Sequence, residues 1–388
     1  MRAALIALFA LLIVVLAALF ILGPAAVERS ANKVLPGPVV AVPAAAKQLH
    51  DHLFVADMHA DSLLWSRDLL RRSDFAHVDL PRLQAGGVDL QVFAAPTQVP
   101  LGINYERNEL NWDVITLLSI VQLWPPKTWI SPTERALHIA GKLDAFARDS
   151  HGELEIVRSL AQLDAVVDRQ QTTKGLVAAV LAIEGLHAIE GKLENLDRLY
   201  DAGYRMMAPT HFFDNQLGGS AHGMEKGGLT DFGTQVVRRM EERKIVVDLA
   251  HASPRLVDDV LAIAKRPLVV SHTGVKGTCD NTRNLSDDHV RRIAAAGGVI
   301  GIGYWDAAVC DVSIKGIVKA IKYVSDLAGA DHVGLGSDFD GGTETPFDTS
   351  GLDQITAGLL DAGFSDADIR NIMGGNVLRL LRVNLPAE

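Results

Sequence analysis

The chain has 388 residues, 48% of them apolar and 22% charged, which supports a large packed core and excludes a low-complexity chain. A net charge of −10 with no basic stripe excludes nucleic acid as a partner, and the acidic balance speaks of solubility. Only two cysteines occur, Cys279 and Cys310. An oxidising compartment permits a disulfide between them, and two buried free thiols are the other reading.

Ala3 to Leu22 is an unbroken apolar run, about the length needed to cross a bilayer, and Arg2 precedes it. That order favours a cytoplasmic N-terminus and a body outside the cytoplasm. The expectation for 1–24 is a membrane anchor or signal segment. The run is long for a signal peptide, and the cleavage site after Gly23-Pro24-Ala25 is poor. A cleaved segment would leave a secreted chain. No cysteine follows the run, so lipid attachment there is not expected. Residues 25–47, with Pro36, Pro38 and Pro43 among small residues, read as an extended linker. The remainder, 48–388, reads as one domain.

That domain alternates strands and helices. Phe54 to Met58 leads into His59, and Val88 to Ala95 follows. Leu176 to Ile183 runs into Glu184, and Tyr204 to Pro209 runs into Thr210-His211. Ile245 to His251 (IVVDLAH) and Pro267 to His272 (PLVVSH) are short β-branched runs that each end in histidine. Between these two, Ser253-Pro254 is an N-cap followed by proline at N1, so a helix joins a parallel pair. Gly298 to Tyr304 and Val333 to Ser337, the latter running into Asp338, complete eight strands. Helical spacing fills the gaps, for example after Ser131-Pro-Thr-Glu134 and after Ser365. The spacing predicts a (β/α)8 barrel. The irregular stretch Gln98–Trp129, with Tyr105, Trp112, Trp124 and Trp129, reads as an insertion over the barrel mouth, a membrane-facing surface or a packed satellite.

Polar residues fall on the strand ends in a pattern: His59 and Asp61, Glu184, His211, His251, His272 and Asp338. In a barrel these face one mouth, where barrel enzymes keep their sites. Any one of them is ordinarily a helix cap; the coincidence of all of them is what carries weight. Imidazole and carboxylate suit Zn²⁺, and Glu184 stands where it can bridge two ions. Two such ions would hold a hydroxide between them and polarise a carbonyl. His77, His138, His151, His289 and His332 read as surface or structural, His187 as a packed or supporting residue, and Asp340 as a group that orients Asp338 or its loop.

In chain order stand DMHAD at 57–61, AIEGLHAI at 182–189, PTHFFDN at 209–215, DLAHAS at 248–253, VSHTG at 271–275, NTRNLSDD at 281–288, GSDFDGG at 336–342 and GGNVLRLL at 374–381. Together they resemble the membrane dipeptidases, also called renal dipeptidases, over roughly residues 48–383. The resemblance implies zinc-dependent hydrolysis of dipeptides with two Zn²⁺ per chain. It assigns His59 and Asp61 to one ion, His251 and His272 to the other, and Glu184 to both. It implies that His211 contacts the scissile carbonyl or its oxyanion, and that Arg283 binds the substrate's C-terminal carboxylate. Asp338 would take a proton from the water and pass it to the leaving amine. A Cys279–Cys310 disulfide is implied as well. Met58 and Ala60 depart from the family's first motif, which bears on substrate preference.

Without the resemblance, Arg283 reads as a surface arginine pairing Asp287 or Asp288. Two rival functions remain. A binuclear amidohydrolase acting on another amide, a lactam or an ester keeps the barrel and metals. A non-catalytic anchored binding protein would have lost a ligand or Asp338, and none is missing. A homodimer is left open.

Overall fold

Short runs of β-branched and small apolar residues build eight parallel strands in the computed structural model, which describes residues 2–36 and 41–388, without the side chains at 3 and 12–16. The strands are β1 (Val55–Ala60), β2 (Val88–Pro96), β3 (Val177–Glu184), β4 (Tyr204–Ala208), β5 (Val246–Val247), β6 (Val269–Thr273), β7 (Val299–Ile302) and β8 (Val333–Leu335). Their order is β5-β4-β3-β2-β1-β8-β7-β6. The two ends of this curled sheet meet through the parallel bridge Asp248↔Val269 and the Leu249 N–H donated to the Val269 carbonyl at 2.8 Å. Helices cover its outer face, the arrangement of a (β/α)8 barrel.

Alternate strand residues (Ala56 and Met58; Leu90, Val92 and Ala94; Ala178, Val180 and Ala182) form one apolar cluster with Met206, Val246, Val269 and Val299. The helix Asn376–Asn384 joins this cluster through Val377 and Leu380. Gly301 and Gly336 are dictated by the packing here. A Cβ at either would lie about 2 Å from the Ser271 carbonyl oxygen, so only glycine lets β7 and β8 crowd β6.

Helix starts follow the sequence closely. Ser131, Ser253 and Ser365 each accept a backbone N–H three residues on, and Pro254 holds the first position of its helix. Three expectations need correction. The strand expected over Ile245–His251 is only Val246–Val247, because Asp248 turns its carboxylate onto the N–H groups of Ala250 and Ser271, both at 2.9 Å. A further short strand, Leu154–Ile156, lies along the start of β3. The stretch 25–47 is not simply an extended linker. A helix runs from Arg2 to Ala31, Lys33–Val34 pairs in parallel with Glu344–Thr345, and Ala44–His50 is helical. Pro38 lies outside the described residues. Among the described residues no helix is long and apolar enough to cross a membrane. The anchor expected over 1–24 falls partly on side chains outside that description.

Candidate metal centre

Two strand irregularities aim the first candidate donors. Between β1 and β2 the register passes from Asp57↔Gln91 to Ala60↔Phe93, three residues against two, so Met58 and His59 sit in a bulge. Between β6 and β7 it passes from Val270↔Ile300 to Thr273↔Ile302, which puts Ser271 and His272 in a second bulge. His251 reaches the same mouth by a different device, a left-handed backbone with φ of 62°. Glu184 is the last residue of β3, and His211 follows β4 by three positions.

All seven strand-end residues converge. Oε1 of Glu184 lies 3.6 Å from His59 Nε2, 3.0 Å from His251 Nε2 and 3.3 Å from His272 Nε2. Its Oε2 lies 3.4 Å from His211 Nε2. His59 Nε2 is 3.6 Å from Asp61 Oδ1 and 4.0 Å from Asp338 Oδ1, while Nε2 of His251 and of His272 are 2.9 Å apart. Three donor sets follow: His59 with Glu184 and His272, Glu184 with His211 and His251, and His59 with Asp61 and Asp338.

The electrostatics call for cations. Burial, reinforced by Arg283 beside His251 and by His59 beside His272, holds both imidazoles well below the usual histidine range, so they are neutral. Burial, then His187 and His222, does the same to His211. Burial and the Asp61 charge push Glu184 well above the carboxylate range. Burial likewise lifts Asp338 to about 8, with His59 opposing and Asp61 adding. Burial works against a charge on His59, but Glu184, Asp61 and Asp338 outweigh it and raise the group to about 10. His59 Nε2 and Asp61 Oδ1 are buried with no hydrogen-bond partner. Neutral imidazoles, crowded carboxylates and orphaned donor atoms fit divalent metal, since an ion supplies the missing positive charge and the missing bonds.

Several supporting residues carried no signal that the strand-end rule could find. Ser271 Oγ lies 2.9 Å from His272 Nδ1 and 3.3 Å from His59 Nδ1, so one hydroxyl fixes two rings with Nε2 toward the cluster. His222, far along the loop that follows β4, is buried 5.2 Å ring to ring from His251 and places Nδ1 2.8 Å from the Tyr105 carbonyl. Asn108 donates to the His222 carbonyl, so part of the 98–129 insertion reaches over the mouth. His187 packs by its ring on Phe213 and bonds Thr97. His77, read as surface or structural, is fully buried and holds the Asp340 backbone N–H at 3.0 Å.

Arg283 is not a surface residue. It is 4% exposed, donates from Nη2 to the His272 carbonyl at 2.6 Å and from Nη1 to Thr273 Oγ1 at 3.3 Å, and lies 5.5 Å over the Trp305 ring. Asp287 instead accepts from Tyr323, and Asp288 pairs Arg292. Among the described residues no carboxylate lies within ion-pairing distance of Arg283, and its Nε has no partner. The loop that carries it is pinned to the next βα segment by the Cys279–Cys310 disulfide.

The sequence profile of the membrane dipeptidases, peptidase family M19, matches residues 44–385. The chain belongs to the membrane dipeptidase family. Among curated family relatives, dipeptidase verJ of Clonostachys rogersoniana is 35% identical over 219 residues, which are 53% of this chain and 55% of that protein. Dipeptidase aclJ of Aspergillus oryzae is 34% identical over 217 residues, 53% of this chain and 51% of that protein. The chain thus aligns with about half the length of the curated dipeptidases it matches. Among solved structures, a Rhodobacter sphaeroides metallopeptidase liganded with a phosphinate mimic of the dipeptide L-Ala-D-Ala superposes with TM-score 0.71 at 25% identity, over 86% of this chain and 99% of that one. The probable dipeptidase PvdM of Pseudomonas aeruginosa superposes with TM-score 0.74 at 20% identity, over 88% and 98%, and shares the fold.

Proposed function

We propose that this member of the membrane dipeptidase family hydrolyses dipeptides with two zinc ions per chain. The observation that carries the substrate class is Arg283. It is a buried guanidinium beside the donor cluster, without a carboxylate of its own, and a substrate's C-terminal carboxylate completes it. The dipeptide mimic held by the Rhodobacter neighbour supports the same reading.

His59 and Asp61 would hold one ion and His251 and His272 the other, with Glu184 serving both. Metal bound there would activate a water and polarise the scissile carbonyl. The chain's own groups do the rest. His211, kept neutral by burial, donates a hydrogen bond to the developing oxyanion. Asp338 takes the water's proton on its carboxylate and delivers it to the departing amine nitrogen. Arg283 fixes the substrate's register between these groups.

The Ala3–Leu22 run, with Arg2 ahead of it, anchors the chain in a membrane with the barrel outside the cytoplasm. The Cys279–Cys310 bridge supports an oxidising compartment.

The test compares dipeptides, L-Ala-D-Ala included, with their C-terminal amides. Arg283→Ala should lower kcat/KM for the acids by about thirty- to a thousand-fold, the loss of a charge-assisted pair, and should matter far less for the amides. Equal losses on acid and amide would make Arg283 structural and favour an amidohydrolase with another substrate.

A further inference from the structure

The loop that carries Asp338 is held in place by residues outside the family-matched span of 44–385. Asp338 and Asp340 both adopt left-handed backbone, with φ of 60° and 62°. Non-glycine residues hold that conformation only where their surroundings impose it. Part of the imposing is done by the segment just after the apolar N-terminal run. Glu28 is 1% exposed and pairs Arg67, whose other end pairs Asp340. Asn32, also 1% exposed, accepts the Gly342 N–H on Oδ1 at 2.8 Å. The N–H groups of Lys33 and Leu35 donate to the carbonyls of Thr343 and Thr345 at 3.2 and 2.8 Å. Thr343 in turn donates from Oγ1 to the carbonyl of Asp338 at 2.7 Å. The loop is also tied to a metal ligand, because the Asp61 N–H donates to the Phe339 carbonyl at 2.9 Å.

We infer that Glu28 and Asn32, in the segment between the N-terminal run and the barrel, are positioning residues for Asp338. Neither residue touches the donor cluster. Each acts through the 338–345 loop, Glu28 by way of Arg67 and Asp340, Asn32 by way of Gly342 and the strand pairing that holds Thr343. The inference rests on the catalytic role proposed for Asp338. It concerns Glu28 and Asn32, which a signal cleavage after Ala25 would leave in place.

The test uses the full chain in detergent micelles, carrying Glu28→Ala, Asn32→Ala or both, with Lys33→Ala as control. Lys33 reaches only Glu344 at the surface, and its substitution keeps the backbone bonds. Kinetics on a dipeptide, zinc content, and hydrogen exchange of the 338–345 peptide are measured together. The double variant should lose about tenfold to a hundredfold in kcat with KM within about twofold, as expected for misplacement of a catalytic group. Zinc content should hold, and exchange in 338–345 should accelerate. Lys33→Ala should match the parent chain. Unchanged kcat and unchanged exchange would overturn the inference. So would a kcat loss that follows lost zinc while 338–345 stays protected. If the parent chain cleaves no dipeptide, the proposed function fails, and the exchange of 338–345 alone still decides whether the segment holds the loop.

Discussion

Asp338 and Asp340 are two residues apart in one loop, share the left-handed backbone, and are withdrawn from solvent in one wall of the same mouth. Their surroundings differ. Asp340 accepts from Ser62 Oγ, from the N–H groups of His77 and Val78, and from Arg67. Burial alone would raise its pKa, but Arg67 and the other donors reverse this and hold it below the usual carboxylate range. Asp338 has no such set of donors. Burial and Asp61 lift it to about 8 against the pull of His59, the opposite direction to Asp340. Asp340, held by four donors, is a fixed strut, whereas Asp338, without such donors, is the carboxylate proposed above to carry the proton.

Exchanging each for its amide separates the two roles. Asp338→Asn should lower kcat by about 10²- to 10⁴-fold, the range for a lost general acid–base group, with unfolding by urea little changed. Asp340→Asn should do the reverse in kind. It takes from buried Arg67 one of its two carboxylates, leaving Glu28, at a cost of about 2–3 kcal/mol in unfolding free energy. The sign with pH follows from the depressed folded value. The stabilisation is present in full above about pH 4, Asp340's value in an unfolded chain, and is lost as pH falls toward the lower folded value. Urea midpoints for both chains across pH 2–7 check this, and a pH-independent gap would contradict it. The smallest effect is expected at Ser271, whose hydroxyl lies against the His59 and His272 rings. Ser271→Ala should weaken zinc binding about ten- to a hundred-fold, read by competition with a chelator. Unaltered affinity would leave ring orientation to the bulges alone.

The strand-end histidines and acids were legible because each one closes a short apolar run, and parallel strands deliver their ends to one mouth. Eight strands were legible for the same reason. What the sequence did not display was how His59 and His272 turn inward. A bulge is a mismatch of register between two strands, and neither strand alone reveals it. Asp248 stood in plain view inside IVVDLAH, an acid in an apolar run, and it is what cuts β5 short and locks the seam to β6. Ser271 was hidden because a serine beside a histidine has no distinctive spacing. His222 was missed because it lies deep in the loop after β4, away from the strand's end. Arg283 was placed by resemblance, while its local charges pointed to the surface. The polar residues Glu28 and Asn32 lie where prolines and small residues suggested only a tether, and their partners are 39 and 310 positions away.

Metal stoichiometry tests the two-ion centre most directly. The purified full chain should contain two zinc ions, lose dipeptide hydrolysis when a chelator removes them, and regain it when zinc returns. A single ion per chain at full activity in excess zinc, or activity that survives complete removal, would contradict it.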